Sequence, residues 1–240
     1  MEEWSDIGIV LSTRKYGEKS LILDAFTKKG GRQRGLVKLI SEKNRFIFQE
    51  GNLLELNWSA RLEEHLGTYK ADIITSYAGQ VLQDSLLLSG LTSLCSIASL
   101  CLPEREPFPF LWEITKDVLK GLVNNPSYWV VMYAKWEVFL LAELGFALDL
   151  TKCAVTGQTD ELCYVSPKTG RAVSRSVGEE YKTRLLPLPS FLLDIEEGTA
   201  PDKEEVIKAF TLTSYFLDKH VLGGKQPPSR LRFLEKLHRL

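Results

Sequence analysis

GIVLSTRKYGEKSLILDAFTKKGGRQRGLVK, Gly8–Lys38, is the stretch on which the fold turns. Ile7, Ile9 and Leu11 alternate with Gly8, Val10 and Ser12, and Leu21, Leu23 and Ala25 alternate with Ile22, Asp24 and Phe26. A period of two marks strands with one buried face. GRQRGLVKLI follows the Gly30-Gly31 turn as a third run. NLLELNWSAR follows Gly51, with Leu54, Leu56 and Trp58 on one face, and TYKADIITSY follows Gly67. Five short strands between residues 5 and 77 fit an OB-fold barrel better than a sandwich, which uses about seven. An SH3-like barrel is also compatible with this pattern.

From Ala78 the period becomes helical. AGQVLQDSLLLSGLTSLCSIASLCL is an apolar helix or helix pair with Gly90 as its expected break, and Pro103, Pro107 and Pro109 enforce a loop after it. PFLWEITKDVLKGLVNN carries Leu111, Ile114, Val118, Leu119 and Leu122 on one stripe and stops at Asn124-Asn125-Pro126. YWVVMYAKWEVFLLAELGF is apolar all round and is expected at the centre of the helical part. Asp202 is placed to cap EEVIKAFTLTSYFLDKHVL, with Glu204 and Glu205 in its first turn and Gly223-Gly224 as its stop. SRLRFLEKLHRL closes the chain as a basic helix, with Leu231, Leu234 and Leu237 expected to face inward. The expected architecture is α+β: a five-stranded OB-fold barrel over residues 1–78, then a helical domain over 79–240 carrying a zinc-knuckle-like insertion at 150–188.

A length of 240 residues accommodates two modest domains. The net charge of −1 gives the chain no basic signature as a whole, so any nucleic-acid reading rests on local clustering. MEEWSDIG lacks the charged and apolar regions of an export signal, which points to a cytoplasmic protein with reduced thiols. The longest apolar stretch, Val81–Leu102, is interrupted by Gln83 and Asp84 and reads as a buried helix, not a membrane span.

Charge does cluster in the barrel. Between Arg14 and Arg45 stand ten basic residues, Arg14, Lys15, Lys19, Lys28, Lys29, Arg32, Arg34, Lys38, Lys43 and Arg45, against Glu18, Asp24 and Glu42, an excess of seven. A phosphate backbone seeks such a field. Tyr16, Phe26, Phe46 and Phe48 lie among these cations, and rings beside cations hold single strands without reading sequence. A solvated barrel face with Phe26 in the core is the competing structural reading. After Gly224 the chain is basic again, with Lys225, Arg230, Arg232, Lys236 and Arg239 opposed only by Glu235.

CAVTGQTDELCYVSPKTGRAVSRSVG, Cys153–Gly178, has the texture of a small knuckle. A structural zinc site normally needs four ligands, often as two C-x2-C pairs. Cys153 and Cys163 are separated by nine residues and have no further Cys or His in the segment, so no metal is expected. Cys95 and Cys101 lie on an apolar helix and read as core. His65, His220 and His238 are scattered, and neither H-E-x-x-H, G-x-S-x-G nor a Walker A run is present. No catalytic residue and no cofactor is expected.

Gly8–Lys38 resembles the first three strands of RecO proteins, and NLLELNWSARLEEHLGTY, Asn52–Tyr69, resembles the strands that follow in that family. CAVTGQTDELCYVSPKTGRAVSRSVGEEYKTRLLPLPSFL is similar to the segment where many relatives carry a four-cysteine zinc knuckle. DKHVLGGKQPPSRLRFLEKL, Asp218–Leu237, resembles the family's C-terminal Gly-Gly-Lys…Ser-Arg signature. The resemblance implies an OB-fold and a helical domain. It also implies a non-enzymatic recombination mediator that binds single- and double-stranded DNA, anneals complementary strands, and engages the C-terminal tail of SSB and RecR to help RecA load, with cytoplasmic, nucleoid-associated localisation and no membrane. One departure stands out: Cys153 alone keeps its place, Thr156 replaces its partner, and the Val173–Ser176 stretch lacks the second pair.

The expected DNA contacts are Arg14, Lys15, Tyr16, Lys19, Lys28, Arg32, Arg34, Lys38, Lys225, Arg230 and Arg232. Lys182 and Arg184, with Lys225 and Arg230, are candidate cations for the carboxylate of the SSB tail. Reversing Arg32 and Arg34 to Glu is expected to cut DNA affinity and leave folding intact. The alternatives are an OB-fold protein for structured RNA, and a metal-dependent nuclease, against which the sparse, dispersed acids near the basic run argue.

Overall fold

The computed structural model describes residues 2–39, 42–62, 64–193 and 201–239. The chain divides into two units, Met1–Asn125 with Pro227–Phe233, and Pro126–Gln226 with Leu234–Leu240.

In the first unit, β1 (Glu2–Lys15), β2 (Ser20–Thr27), β3 (Gly31–Lys38), β4 (Leu53–Ala60) and β5 (Thr68–Thr75) close a barrel in the order β1-β2-β3-β5-β4. β4 returns antiparallel to β1, and β3 meets β5 as the one parallel pair of this barrel. This is an OB-fold, and the SH3-like alternative falls away. Val10, Leu21, Leu23, Ala25, Val37, Leu54, Leu56, Trp58 and Tyr69 fill the interior, and Phe48 from a 3₁₀ turn at Glu42–Phe48 plugs it.

The alternation of β1 departs from expectation. Val10 points into the barrel, yet Ile9 and Leu11 on the other face are also fully buried. The cause is a helix laid against the outside of β1, so that its middle is covered on both faces. That helix is α2 (Ser85–Cys101), which follows a single turn, α1 (Tyr77–Gln80). The chain breaks between these two, not at Gly90: the Asp84 carboxylate accepts the backbone N–H groups of Leu86 and Leu87 and starts α2, while Gly90 is buried within it. α3 (Pro109–Asn124) buries Leu111, Val118, Leu119 and Leu122 as the stripe predicts, and Pro109 stands in its first turn. Asn52, fully buried, donates to the carbonyls of Phe46 and Ile47 and accepts the N–H of Ala78, tying the 3₁₀ turn to α1.

In the second unit α4 (Trp129–Glu143) is central, with Trp129, Tyr133 and Trp136 fully buried. β6 (Leu162–Val165), β7 (Ala172–Ser174) and β8 (Leu186–Pro187) form a three-stranded sheet in the order β7-β6-β8, with α5 (Arg175–Gly178) between the last two in sequence. α6 (Lys203–Leu217) is capped by Asp202 through Glu205 N–H at 2.8 Å and packs on α4, where the Thr213 hydroxyl donates to the buried Glu137. α7 (Pro228–Arg239) begins in the first unit and ends in the second. Its buried stripe is Arg230, Phe233 and Leu237, while Leu231, expected inside, is half exposed.

The Tyr69 hydroxyl is buried with no hydrogen-bond partner among the described residues. Burial, followed by the Asp24 and Asp6 charges, pushes its pKa up. A buried donor left unsatisfied costs about 1–3 kcal/mol. Tyr69→Phe is therefore expected to hold or raise the urea midpoint, and a loss of more than about 1 kcal/mol would mean that the hydroxyl is satisfied.

Candidate nucleic-acid interface

The outer face of β2 and β3 is organised by one acid. Asp24 stands opposite Arg34 in the β2–β3 register, and Phe26 stands opposite Arg32. The Arg32 guanidinium donates from Nε to both Asp24 oxygens at 3.0 Å and from Nη2 to Oδ2 at 2.8 Å. Its Nη1 donates to the carbonyl of Leu102, just past the end of α2, at 2.9 Å. Ser99 of α2 donates to Asp24 Oδ2 at 3.1 Å. Arg34 approaches the same oxygen at 3.6 Å and pairs with Glu104 at 2.9 Å. Gly31, at φ +70°, admits the Glu106 carbonyl so closely that any Cβ would collide with it, and Arg105 N–H reaches the Arg32 carbonyl at 2.8 Å. The segment after α2 is thus laced to β3.

Above this pair opens a pocket of about 360 Å³, lined by Ser12, Arg14, Ile22, Asp24, Arg32, Arg34, Leu66, Ser99 and Leu100. Arg14 and Arg34 are exposed at its edge, beside the exposed side chains of Leu66 and Leu100. The β1–β2 hairpin continues the cationic surface: Lys15 and Lys19 are exposed, Lys38 stands beside Ser20 in the β2–β3 register, and Tyr16 is 56% exposed. Arg14, Lys15, Lys19 and Lys38 have no ion-pair partner among the described residues, and Glu18 is the one acid on the hairpin turn.

The remaining expected contacts separate by environment. Arg32 (8% exposed) and Arg230 (1%) are buried, so neither presents a free guanidinium, and Arg32→Glu would press a carboxylate against Asp24. Contrary to the sequence expectation, reversal at Arg32 disturbs the fold, because its guanidinium is buried against Asp24. Lys28 pairs with Glu113 of α3 at 2.8 Å and lies over the Trp112 ring, 5.3 Å from its centroid. The hydrogen bonds from Lys116 and then Lys28 hold the Glu113 carboxyl down at about 2. Of the four rings in the basic run, Tyr16 and Phe46 are exposed while Phe26 and Phe48 are buried. Arg232 is exposed in the first unit and Lys225 in the second. Lys182 and Arg184 lie exposed on a 3₁₀ turn at Glu179–Arg184, where Lys182 is bound to Glu179 at 2.7 Å and Arg184 has no ion-pair partner among the described residues. The side chains of Glu42 and Lys43 lie outside the described residues.

The knuckle segment does not fit zinc. Cys153 Sγ accepts the N–H of Thr156 at 3.5 Å, the N–H of Ser174 at 3.3 Å and the Ser174 hydroxyl at 3.4 Å, and Ser174 in turn meets the Ser176 hydroxyl at 3.2 Å. One thiol faces hydroxyls where a structural zinc site wants thiolates or imidazoles. Burial pushes the Cys153 thiol up, but the hydrogen bonds from Ser174 and Thr156 outweigh it and bring it down to about 6. Among the described residues no group of three or more His, Cys, Asp or Glu converges as a metal site, and no helix is long and apolar enough to cross a membrane.

Fold and face together define an OB-fold protein with a cationic outer surface. Residues 1–77 match the family model "Recombination protein O N terminal" and residues 82–230 match "Recombination protein O C terminal". The chain is 43% identical to the DNA repair protein RecO of Ruegeria sp. (strain TM1040), over 99% of each chain. It is 41% identical to that of Rhodospirillum rubrum, over 100% of this chain and 98% of the relative. The chain belongs to the RecO family of DNA repair and recombination proteins.

Removing one partner of a buried ion pair leaves the other charge stranded. Arg32→Ala is expected to cost about 3–5 kcal/mol in urea unfolding, whereas Arg14→Ala should cost less than about 0.5 kcal/mol. Equal small losses would show that the Asp24 pair contributes no more than a surface contact.

Proposed function

We propose that the chain is a recombination mediator that holds single-stranded DNA on the β1–β2 hairpin and the adjoining outer face of β2 and β3. The carrying observation is the set of exposed cations without ion-pair partners among the described residues, Arg14, Lys15, Lys19 and Lys38, gathered around exposed Tyr16. Cations neutralise phosphates and release counterions, while a ring offers a stacking face indifferent to sequence. Arg34 joins this surface. Arg32 positions it through Asp24 without touching DNA, and Lys28 is committed to Glu113. Lys225 and Arg232 supply further exposed charge toward the C terminus, whereas Arg230 acts from a buried position.

Neutralising two strands at once lowers their mutual repulsion, so double-stranded DNA binds as well and complementary strands anneal. That process needs no nucleotide, metal or covalent step, and the protein is not an enzyme. We assign residues 1–78 to DNA and 79–240 to partner contacts as well. The partners are the acidic SSB tail and RecR, through which RecA is loaded, in the cytoplasm at the nucleoid. For the tail's carboxylate, Arg184 is the stronger candidate, because Lys182 is held by Glu179 and exposed Tyr181 shares the same turn.

The test is charge reversal at residues that carry no packing. Lys15→Glu with Lys19→Glu is expected to weaken binding of fluorescein-labelled oligo-dT, read by anisotropy, by about tenfold or more (~1.4 kcal/mol) with an unchanged urea midpoint. A folded double variant with undiminished affinity would remove the hairpin from the proposal.

A further inference from the structure

The second unit holds an aromatic arrangement that the barrel site does not use. α6 ends at Leu217 and the chain winds on as a single π-helical turn, Asp218–Leu222. Such turns are rare and cluster at functional sites. This one is closed by Gly223 in the left-handed region at φ +57°, with its N–H on the Asp218 carbonyl. The turn sets His220 one helical turn beyond Phe216, with their rings parallel within 4° and 6.1 Å apart. On the other side, Phe146 stacks on His220 at 4.5 Å and 14°. Phe146 arrives there because Gly145 ends α4 at φ +86° and the Phe146 N–H folds back to the Leu141 carbonyl. The stack therefore runs from buried Phe216 through exposed His220 to Phe146, which is 37% exposed.

Cations stand on the segments that meet at the stack. Lys219 lies over the Tyr215 and Phe216 rings at 5.9 and 5.8 Å, and its ammonium donates to the Pro167 carbonyl at 2.6 Å, which brings the chain at Lys168 beside the turn. Lys168 and Lys225 are exposed and have no ion-pair partner among the described residues. Of the nearby acids, Asp149 pairs with Arg171 and Asp218 accepts the Gly224 N–H through its carboxylate, while Glu143 is exposed at the end of α4. An exposed ring at the end of a stack, with exposed lysines on the neighbouring segments, suits a planar ring carried on an anionic chain.

We propose that Phe146, backed by His220 and Phe216, is a stacking platform for a base of single-stranded DNA, with Lys168 and Lys225 taking the adjoining phosphates. This inference rests on the reading of the chain as a single-stranded DNA binder, and it adds a site in the second unit independent of the barrel.

The experiment uses the full-length protein and an oligo-dT containing 2-aminopurine, whose fluorescence falls when the base stacks on a ring. Phe146→Leu keeps an apolar side chain without a π-face, and Phe146→Trp restores one. The wild type and Phe146→Trp are expected to quench the probe, while Phe146→Leu loses most of the quenching and about fivefold or more in affinity. If the wild type binds DNA and Phe146→Leu, folded, binds and quenches as well as it does, the platform is refuted and the barrel reading stands. If the wild type fails to bind at low salt, the mediator reading falls and the platform falls with it.

Discussion

Asp24 is the constraint around which the outer face of β2 and β3 is arranged. It stands in a strand whose neighbours are apolar, and a lone carboxylate at 5% exposure would be costly. Arg32 meets both of its oxygens, and Ser99 adds a donor from α2. The guanidinium's remaining reach goes to the Leu102 carbonyl, so the pair also fixes the end of α2 against β3. Ion pairs of this kind add little net stability over a well-packed apolar trio, but they are unforgiving of displacement. Arg14 and Arg34 line the pocket above this pair and are exposed.

The chain uses the same residue types for opposite ends. Lys28 and Arg32 are tied to Glu113 and Asp24, whereas Arg14, Lys15, Lys19 and Lys38 are exposed and have no ion-pair partner among the described residues. The knuckle makes a parallel substitution. Where relatives are implied to draw four thiolates around a metal, Cys153 collects N–H and O–H donors from Thr156 and Ser174. The segment keeps a small folded sheet around a hydrogen-bonded sulfur.

Much of the barrel was legible because Leu54, Leu56 and Trp58 obey a strict period of two and face a single core. β1 was less so: once α2 covers its outer face, Ile9 and Leu11 are buried as fully as Val10, and alternation no longer marks the inside. The basic cluster was visible as composition, but the division within it was not. Arg32 and Arg34 are two residues apart and point to the same side. Only the pairing of β2 with β3 and the distant Leu102 carbonyl bury one and spare the other. An acid in the apolar run of β2 was the available signal. Helix starts with a capping carboxylate, such as Asp202, were readable locally. The stack of Phe146 on His220 was not, since it joins elements far apart in the chain.

The central claim is that exposed cations on the barrel face hold the phosphates of a single strand. The most direct measurement is the dependence of oligo-dT affinity on salt for the wild-type protein. Engagement of Arg14, Lys15, Lys19 and Lys38 by one phosphate each contributes roughly −3 to the log–log slope, at about −0.7 per contact, so the wild-type slope is expected to be at least that steep. Affinity that is flat across the salt series, or no binding at low salt, would contradict the account and leave the basic face of the barrel as solvated surface.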